Sequence, residues 1–123
     1  MHSEEQDAGI RRAVERYTDG HATGDPAVMR EAFHPDARLQ FTRGGEDRTW
    51  SLEEYLEKLP GSPGDDEARR ERTIRSIRSA GDVAVVELVL DYPEVRFVDY
   101  LSLLRLGDGW TITHKLFHAF PWT

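Results

Sequence analysis

The alternation of hydrophobic and polar positions is most regular in the last third of the chain, where it predicts three antiparallel strands. Residues 82–91 are apolar and rich in β-branched side chains, as is typical of a strand buried in a sheet. Residues 96–106 and 110–120 continue the pattern. Pro93-Glu94 separates the first two strands and predicts a two-residue turn, because proline fixes φ and has no amide proton to donate. Asp108-Gly109 separates the last two and favours a type I′ turn, since glycine readily adopts positive φ.

Helical periodicity dominates the first half of the chain. Residues 4–23 place apolar side chains on one face and charged side chains on the other, which predicts a first helix. Asp25-Pro26 predicts the start of a second helix, because aspartate caps a helix and proline suits its first position, and His34-Pro35 predicts its end. Ser51-Leu-Glu-Glu54 is a capping box and predicts a third helix over residues 52–59.

Two further strands complete the predicted secondary structure. They span residues 37–42 and 72–79, with a turn at 44–47 and the longest loop, which has no periodicity, at 60–70. The predicted order is helix, helix, strand, helix and four strands. This order is typical of an α+β fold whose helices gather on one face of a curved antiparallel sheet. Because 123 residues suffice for one core only, a single domain over residues 1–123 is predicted.

Composition narrows the classes of partner. The chain has 23 acidic and 16 basic residues and a net charge of −7, which disfavours nucleic acid and anionic membranes as partners. It has no cysteine, so thiolate catalysis and zinc–thiolate sites are excluded. The acidic N-terminus lacks the features of a signal peptide, and no apolar run approaches the roughly 20 residues of a membrane span. A cytoplasmic protein is therefore expected.

Six stretches carry a resemblance to a known superfamily, and together they cover nearly the whole chain. They are Tyr17-Thr-Asp-Gly-His21 with Gly24-Asp25, residues 30–37, residues 49–56, Leu90-Asp-Tyr-Pro93, residues 99–104 and Lys115-Leu-Phe-His-Ala119. These stretches resemble the nuclear transport factor 2-like superfamily and, within it, the SnoaL-like branch described as putative lumazine-binding. The resemblance implies a cystatin-like α+β roll, in which a cone-shaped sheet wraps over three N-terminal helices. It also implies a pocket on the concave face and a homodimer through the convex face. It leaves the activity open, because the superfamily includes isomerases, cyclases, dehydratases, transport adaptors and binding subunits.

The two predicted turns fix which side chains share a face of the sheet. An Asp108-Gly109 loop places Ser102 opposite Lys115, and a Pro93-Glu94 loop places Glu87 opposite Tyr100. The predicted pocket residues are Tyr17, Phe33, Leu39, Phe41, Trp50, Tyr55, Tyr100, Ser102 and Phe117, around Glu87 and Lys115. The predicted dimer face contains Leu88, Leu101, Leu103, Leu116 and His118. A one-residue slip at either turn would exchange the two faces.

Glu87 and Lys115 are the strongest candidates for chemistry, because neither charge can be buried alone without a large desolvation cost. A buried pair of this kind either takes part in acid–base catalysis or forms a structural ion pair. His114 and His118 are roughly 13 Å apart on a strand, too far to share a metal ion. His118 is expected to pair with Asp99 in the dimer interface. No metal or cofactor is expected.

The resemblance extends to ketosteroid isomerase in the first helix, where Tyr17 matches the tyrosine of that enzyme's oxyanion hole. The same match places its general-base aspartate at Phe41 and its second oxyanion donor at Ser102. Because the base is absent, steroid isomerisation through that carboxylate is not expected. Tyr17 is then either a hydrogen-bond donor to a ligand carbonyl or a core tyrosine with a satisfied hydroxyl.

The leading functional hypothesis is a dimeric pocket protein that binds a small, apolar or aromatic molecule with a polar head. One alternative is an isomerase, lyase or cyclase that uses Glu87 or Lys115 as base and Tyr17, Tyr100 or Ser102 as hydrogen-bond donors. Another is a binding or adaptor module without turnover.

Overall fold

The structure, a computed structural model, describes residues 4–122. Its elements are the helices α1 (Glu4–Thr23), α2 (Pro26–Arg30) and α3 (Leu52–Leu56), a short 3-10 helix (Glu67–Arg69), and the strands β1 (Phe33–Arg43), β2 (Glu46–Ser51), β3 (Glu71–Ala80), β4 (Val83–Asp91), β5 (Val95–Leu106) and β6 (Gly109–Pro121). The strands form one curved, unclosed sheet in the order β2-β1-β6-β5-β4-β3. All neighbours are antiparallel except β1 and β6. The predicted α+β fold, with a cone-shaped sheet around the helices, is confirmed.

The helices begin where the sequence predicts, but two of them end earlier. The Asp25 side chain accepts a hydrogen bond from the Ala27 amide at the start of α2, and the capping box of Ser51 and Glu54 starts α3. The second helix ends early because the Ile112 amide donates to the Ala32 carbonyl, so the chain joins β6 at this point. The predicted turn at residues 44–47 is short and leads directly into β2, a strand that the sequence pattern does not indicate.

The register between β4 and β5 agrees with the prediction, since Glu87 lies opposite Tyr100. The register between β5 and β6 does not, because Lys115 lies opposite Leu101 instead of Ser102. Two local features cause the difference. The hairpin loop is Gly107-Asp108, with Gly107 at φ 63°, as suits a turn with glycine at its first central position. This loop moves the register by two residues from the predicted one, and a β-bulge at Thr113 then moves it back by one.

This shift determines which side chains enter the core. The concave face, covered by the helices, carries Val86, Leu88, Leu90, Asp99, Leu101, Leu103, Ile112 and Lys115, all of them buried. The predicted dimer face is therefore wrong for Leu88, Leu101 and Leu103, which lie in the core. Leu116 and His118 do lie exposed on the outer face. The expected pair of His118 and Asp99 is also wrong, because His118 lies opposite Val98.

Candidate functional site

A cavity of about 150 Å³ lies inside the cone. Its walls are formed by His21, Tyr55, Leu90, Tyr92, Phe97, Lys115 and Phe117. These side chains come from α1, α3, the end of β4 with the turn that follows, β5 and β6, so the cavity forms only when these distant parts of the chain come together. Its walls are mostly apolar, with a few polar groups that converge on one space, as is typical of small-molecule sites. A larger groove of about 430 Å³ lies on the outer face, but Arg78 is the one ionisable side chain that lines it.

Lys115 is the charged group of the cavity. The residue is 4% exposed, and its Nζ lies 3.4 Å from Tyr55 Oη and 3.9 Å from Asp99 Oδ2. It also lies 4.8–5.0 Å from the ring centres of Tyr17, Tyr55 and Phe117, a range in which aromatic faces stabilise cations. Burial alone lowers the pKa of Lys115, but Asp99 and the nearby tyrosine hydroxyls outweigh it and raise that pKa above its usual value. Lys115 is therefore an ammonium at neutral pH.

Asp99 lies behind Lys115 and is completely buried. The hydroxyl of Tyr17 donates a hydrogen bond to Asp99 Oδ2, whereas Oδ1 has no hydrogen-bond partner in residues 4–122. Burial raises the pKa of Asp99, and the Lys115 charge and the Tyr17 hydrogen bond oppose this rise. Because both neighbours favour the ionised form, we assign an ammonium–carboxylate pair. Burial, and secondly the Asp99 charge, raise the pKa of Tyr17 well above its usual value, so its hydroxyl remains a donor.

His21 extends this polar network along the cavity wall. Its Nε2 lies 3.3 Å from Tyr55 Oη, so the Tyr55 hydroxyl lies within reach of both His21 and Lys115. The imidazole packs edge-on against Tyr17, with ring centres 4.7 Å apart. Burial, together with the charges of Lys115, Arg72 and Arg70, lowers the pKa of His21 well below its usual value. The imidazole is therefore neutral at pH 7, and one of its ring nitrogens carries a lone pair.

The structure brings several of the predicted pocket residues together. Tyr55, Lys115 and Phe117 line the cavity, and Tyr17 lies directly behind them. Phe41 and Trp50 extend the wall, because Phe41 stacks on Phe117 with ring centres 4.6 Å apart and contacts Trp50 at 4.7 Å.

The other predicted pocket residues lie outside the cavity. Phe33 and Leu39 are buried in the core. Glu87, Tyr100 and Ser102 lie on the outer face, and the shifted register of β6 places Lys115 on the opposite face from them. Glu87 forms an ion pair of 3.0 Å with Arg75 and accepts a hydrogen bond from Tyr100, so the predicted pair of Glu87 and Lys115 is wrong.

Asp99 is predicted in the dimer interface, and His21 and Tyr92 are not predicted as parts of the site, although signals for Asp99 and His21 are present. Asp99 is an isolated acid among alternating apolar residues of β5, as expected of a buried carboxylate with a partner. His21 follows Tyr17 by four residues and so lies on the same face of α1. Both signals become specific only when the face of Lys115 is known.

Tyr92 connects the cavity with the loop at residues 60–70. Arg72 donates two hydrogen bonds, of 3.1 and 3.3 Å, to Tyr92 Oη and two, of 2.6 and 2.9 Å, to Glu67. The Arg70 guanidinium lies over the Tyr92 ring, 4.2 Å from its centre. The loop is also held at its other end, where the Gly61 amide donates to the Gly24 carbonyl at 2.8 Å. Two arginines thus fix one wall of the cavity.

Comparisons with known proteins agree with this architecture. The model of the family described as "Putative lumazine-binding" matches residues 5–118. Aldolase FrzH of Cladobotryum sp is 25% identical over 119 residues, which is 97% of this chain and 94% of that protein. An NTF2-like protein of unknown function from Shewanella baltica superposes with a TM-score of 0.86 at 21% identity, covering 98% of this chain and 99% of that one. An NTF2-like protein of unknown function from Methylobacillus flagellatus superposes with a TM-score of 0.85 at 24% identity, covering 97% and 95%. Within residues 4–122, no helix is long and apolar enough to cross a membrane.

Proposed function

Because the chain belongs to the putative lumazine-binding family of the nuclear transport factor 2-like superfamily, we propose that its cone binds a small carbonyl compound. We further propose that it acts on this compound as a lyase of aldolase type that needs no cofactor. The observation that carries the proposal is the Lys115 ammonium, which is buried in the wall of an otherwise apolar cavity beside Tyr55. A buried cation that faces a cavity is suited to bind the oxygen of a ligand.

The relative named as an aldolase supports this reaction class, since it aligns with nearly the whole chain. An aldolase makes or breaks a carbon–carbon bond next to a carbonyl group. The reaction passes through an enolate, so the site must stabilise a negative charge on the carbonyl oxygen. Preorganised donors in a site that excludes water provide this stabilisation.

Three polar groups of the cavity, Lys115, His21 and Tyr55, have a role in this proposal. Lys115 donates a hydrogen bond to the carbonyl oxygen, and the neutral His21 accepts the proton that leaves the α-carbon. The electron pair of the broken C–H bond then forms the enolate, whose oxygen Lys115 and the Tyr55 hydroxyl stabilise. Its raised pKa keeps Lys115 protonated, which favours this role over a Schiff base, because a Schiff base needs the free amine. The apolar walls, which include Leu90, Phe97 and Phe117, suit an apolar or aromatic tail.

The proposal is tested on the first half of the reaction, which needs no knowledge of the natural substrate. We expect the protein to accelerate exchange of the α-protons of 4-methyl-2-pentanone with D₂O, measured by ¹H NMR. The Lys115→Met variant should lose the acceleration, because the enolate loses its cation. Glu87→Gln is the matched control and should exchange like the wild type, since Glu87 lies on the outer face. Wild-type exchange no faster than that of Lys115→Met would contradict the proposal.

We also propose that the protein is a homodimer through the outer face of the sheet. Several exposed apolar side chains lie on this face, which are Val83, Val85, Tyr100, Leu104 and Leu116. Exposed apolar surface of this kind marks protein interfaces. The proposed interface replaces the one that the sequence predicts, because the leucines of that prediction lie in the core.

A further inference from the structure

The wall of the cavity consists mostly of planar side chains. Within the part of the chain that the structure describes, seven side chains line the cavity, and five of them carry a ring: His21, Tyr55, Tyr92, Phe97 and Phe117. Phenylalanine, tyrosine and tryptophan together make up only 10% of the chain. The aromatic side chains are therefore concentrated at the space where a ligand would lie.

Three of these rings form an edge-to-face series. Phe97 is the central one, with its ring centre 5.7 Å from that of Tyr92 and 6.1 Å from that of Phe117, at interplanar angles of 76° and 67°. Aromatic pairs favour this arrangement, because the positive edge of one ring meets the negative face of the other. A ligand that is itself aromatic can extend the series, whereas a saturated ring of the same size offers these side chains no such edge or face.

The volume of the cavity limits the ligand to one ring. An apolar protein cavity of about 150 Å³, which is the volume found here, is large enough to bind one benzene molecule. A second fused ring would have to displace a side chain of the wall. Because Lys115 lines the same small space, a carbonyl group that binds its ammonium must lie directly beside the ring.

We infer that the substrate is an aryl ketone, in which one aromatic ring packs against Phe97 and Phe117 and the adjacent carbonyl oxygen binds at Lys115. This inference rests on the proposed function and adds the class of substrate. All three side chains line the cavity, so each is within direct reach of a ligand inside it. Phe97 determines the specificity for an aromatic ring, since its own ring connects those of Tyr92 and Phe117.

The test compares ketones that differ only in the ring. Acetophenone and cyclohexyl methyl ketone both join a six-membered ring to an acetyl group, but only the ring of acetophenone is aromatic. Each is titrated into the full chain and followed by NMR. We expect acetophenone to bind about three- to tenfold more tightly, which is what an aromatic pair provides beyond its buried area. 2-Acetonaphthone, which has a second fused ring, should bind at least about tenfold more weakly than acetophenone, because it overfills the cavity.

Two matched variants locate the preference. Phe97→Leu removes the ring but retains an apolar side chain, and it should abolish the preference for acetophenone over cyclohexyl methyl ketone. Phe120→Leu is the control, because it makes the same substitution at an exposed ring that does not line the cavity. This variant should retain the preference of the wild type.

Equal affinity of the wild type for acetophenone and cyclohexyl methyl ketone would overturn the inference, as would the absence of acetophenone binding or a preference that survives in Phe97→Leu. Binding of 2-acetonaphthone as tight as that of acetophenone would overturn the limit to one ring. If Phe97→Leu does not fold, the three affinities of the wild type still decide. The Lys115→Met variant tests the proposed function separately. It should weaken the binding of both methyl ketones and keep their ratio, and unchanged binding would contradict the role of Lys115 while the aromatic preference could still be measured.

Discussion

Lys115 shows how this fold tolerates a charge in its core. Removing an ammonium from water costs several kcal/mol, which a partner charge repays only with good geometry and additional hydrogen bonds. Here the ammonium is stabilised by the Asp99 carboxylate, the Tyr55 hydroxyl and three aromatic rings. The 3.9 Å between Lys115 Nζ and Asp99 Oδ2 is long for a direct hydrogen bond. The ammonium therefore keeps a donor for a ligand oxygen.

Because Lys115 and Asp99 stabilise each other, we expect each single substitution to lower the free energy of unfolding. The double substitution should lower it by less than the sum of the two single effects. Lys115→Met and Asp99→Asn each leave an uncompensated buried charge, which costs about 3–5 kcal/mol. The double variant removes both charges and should recover part of this loss. Urea unfolding gives the free energy of unfolding of all four proteins. Single effects that add to within about 0.5 kcal/mol would show that the two residues do not interact.

At the scale of the elements, the two hairpins show how far the sequence determines the register. Pro93 restricts where the first turn can lie, because proline has no amide proton to donate to the β-ladder. The register of β4 and β5 is therefore predicted correctly. The other hairpin contains two glycines, Gly107 and Gly109, and either can supply the positive φ of a tight turn. The β-bulge at Thr113 adds one residue to β6, and no local pattern in the sequence indicates it. The resulting net shift of one residue places Lys115 and Phe117 on the opposite face of the sheet from part of the predicted site.

The two glycines also allow the turn to be tested. Gly107 has a φ of 63°, Gly109 does not have a positive φ, and a Cβ atom at either position would meet no atom within 4 Å. Only the backbone conformation therefore distinguishes their substitution by alanine. Gly107→Ala should lower the free energy of unfolding by about 1–2 kcal/mol, whereas Gly109→Ala should change it by less than about 0.5 kcal/mol. Thermal or urea unfolding measures both, and the reverse order would support the turn at Asp108-Gly109.

For the whole molecule, the sequence is sufficient to predict the architecture but not the site. The capping residues, the apolar strands and the turn residues all favour the same α+β order, and such agreement between levels is typical of natural folds. The site depends on pairs that are distant in the sequence: Tyr17 and Asp99 are separated by 82 residues, and Lys115 and Tyr55 by 60. Local patterns cannot indicate such pairs unless the register is known.

The proposed dimer is tested by charges placed on the outer face. Leu116→Lys, with or without Val85→Lys, should convert the protein to a monomer in sedimentation velocity at micromolar concentration, because burying an unpaired ammonium in an interface is unfavourable. Ala68→Lys is the control, since it adds the same charge to the exposed loop and should leave the dimer intact. A wild-type protein that sediments as a monomer at this concentration would contradict the proposal.

In the proposed function, Lys115 binds the carbonyl oxygen of a ligand as an ammonium. The most direct measurement is the ¹³C NMR spectrum of 4-methyl-2-pentanone labelled at its carbonyl carbon, in the presence of the wild type and of Lys115→Met. We expect the carbonyl resonance to move downfield on binding to the wild type, because a hydrogen bond from a buried cation polarises the C=O bond. The Lys115→Met variant should not produce this shift. An unshifted resonance for ketone bound to the wild type, or a new resonance of an imine carbon, would contradict the account.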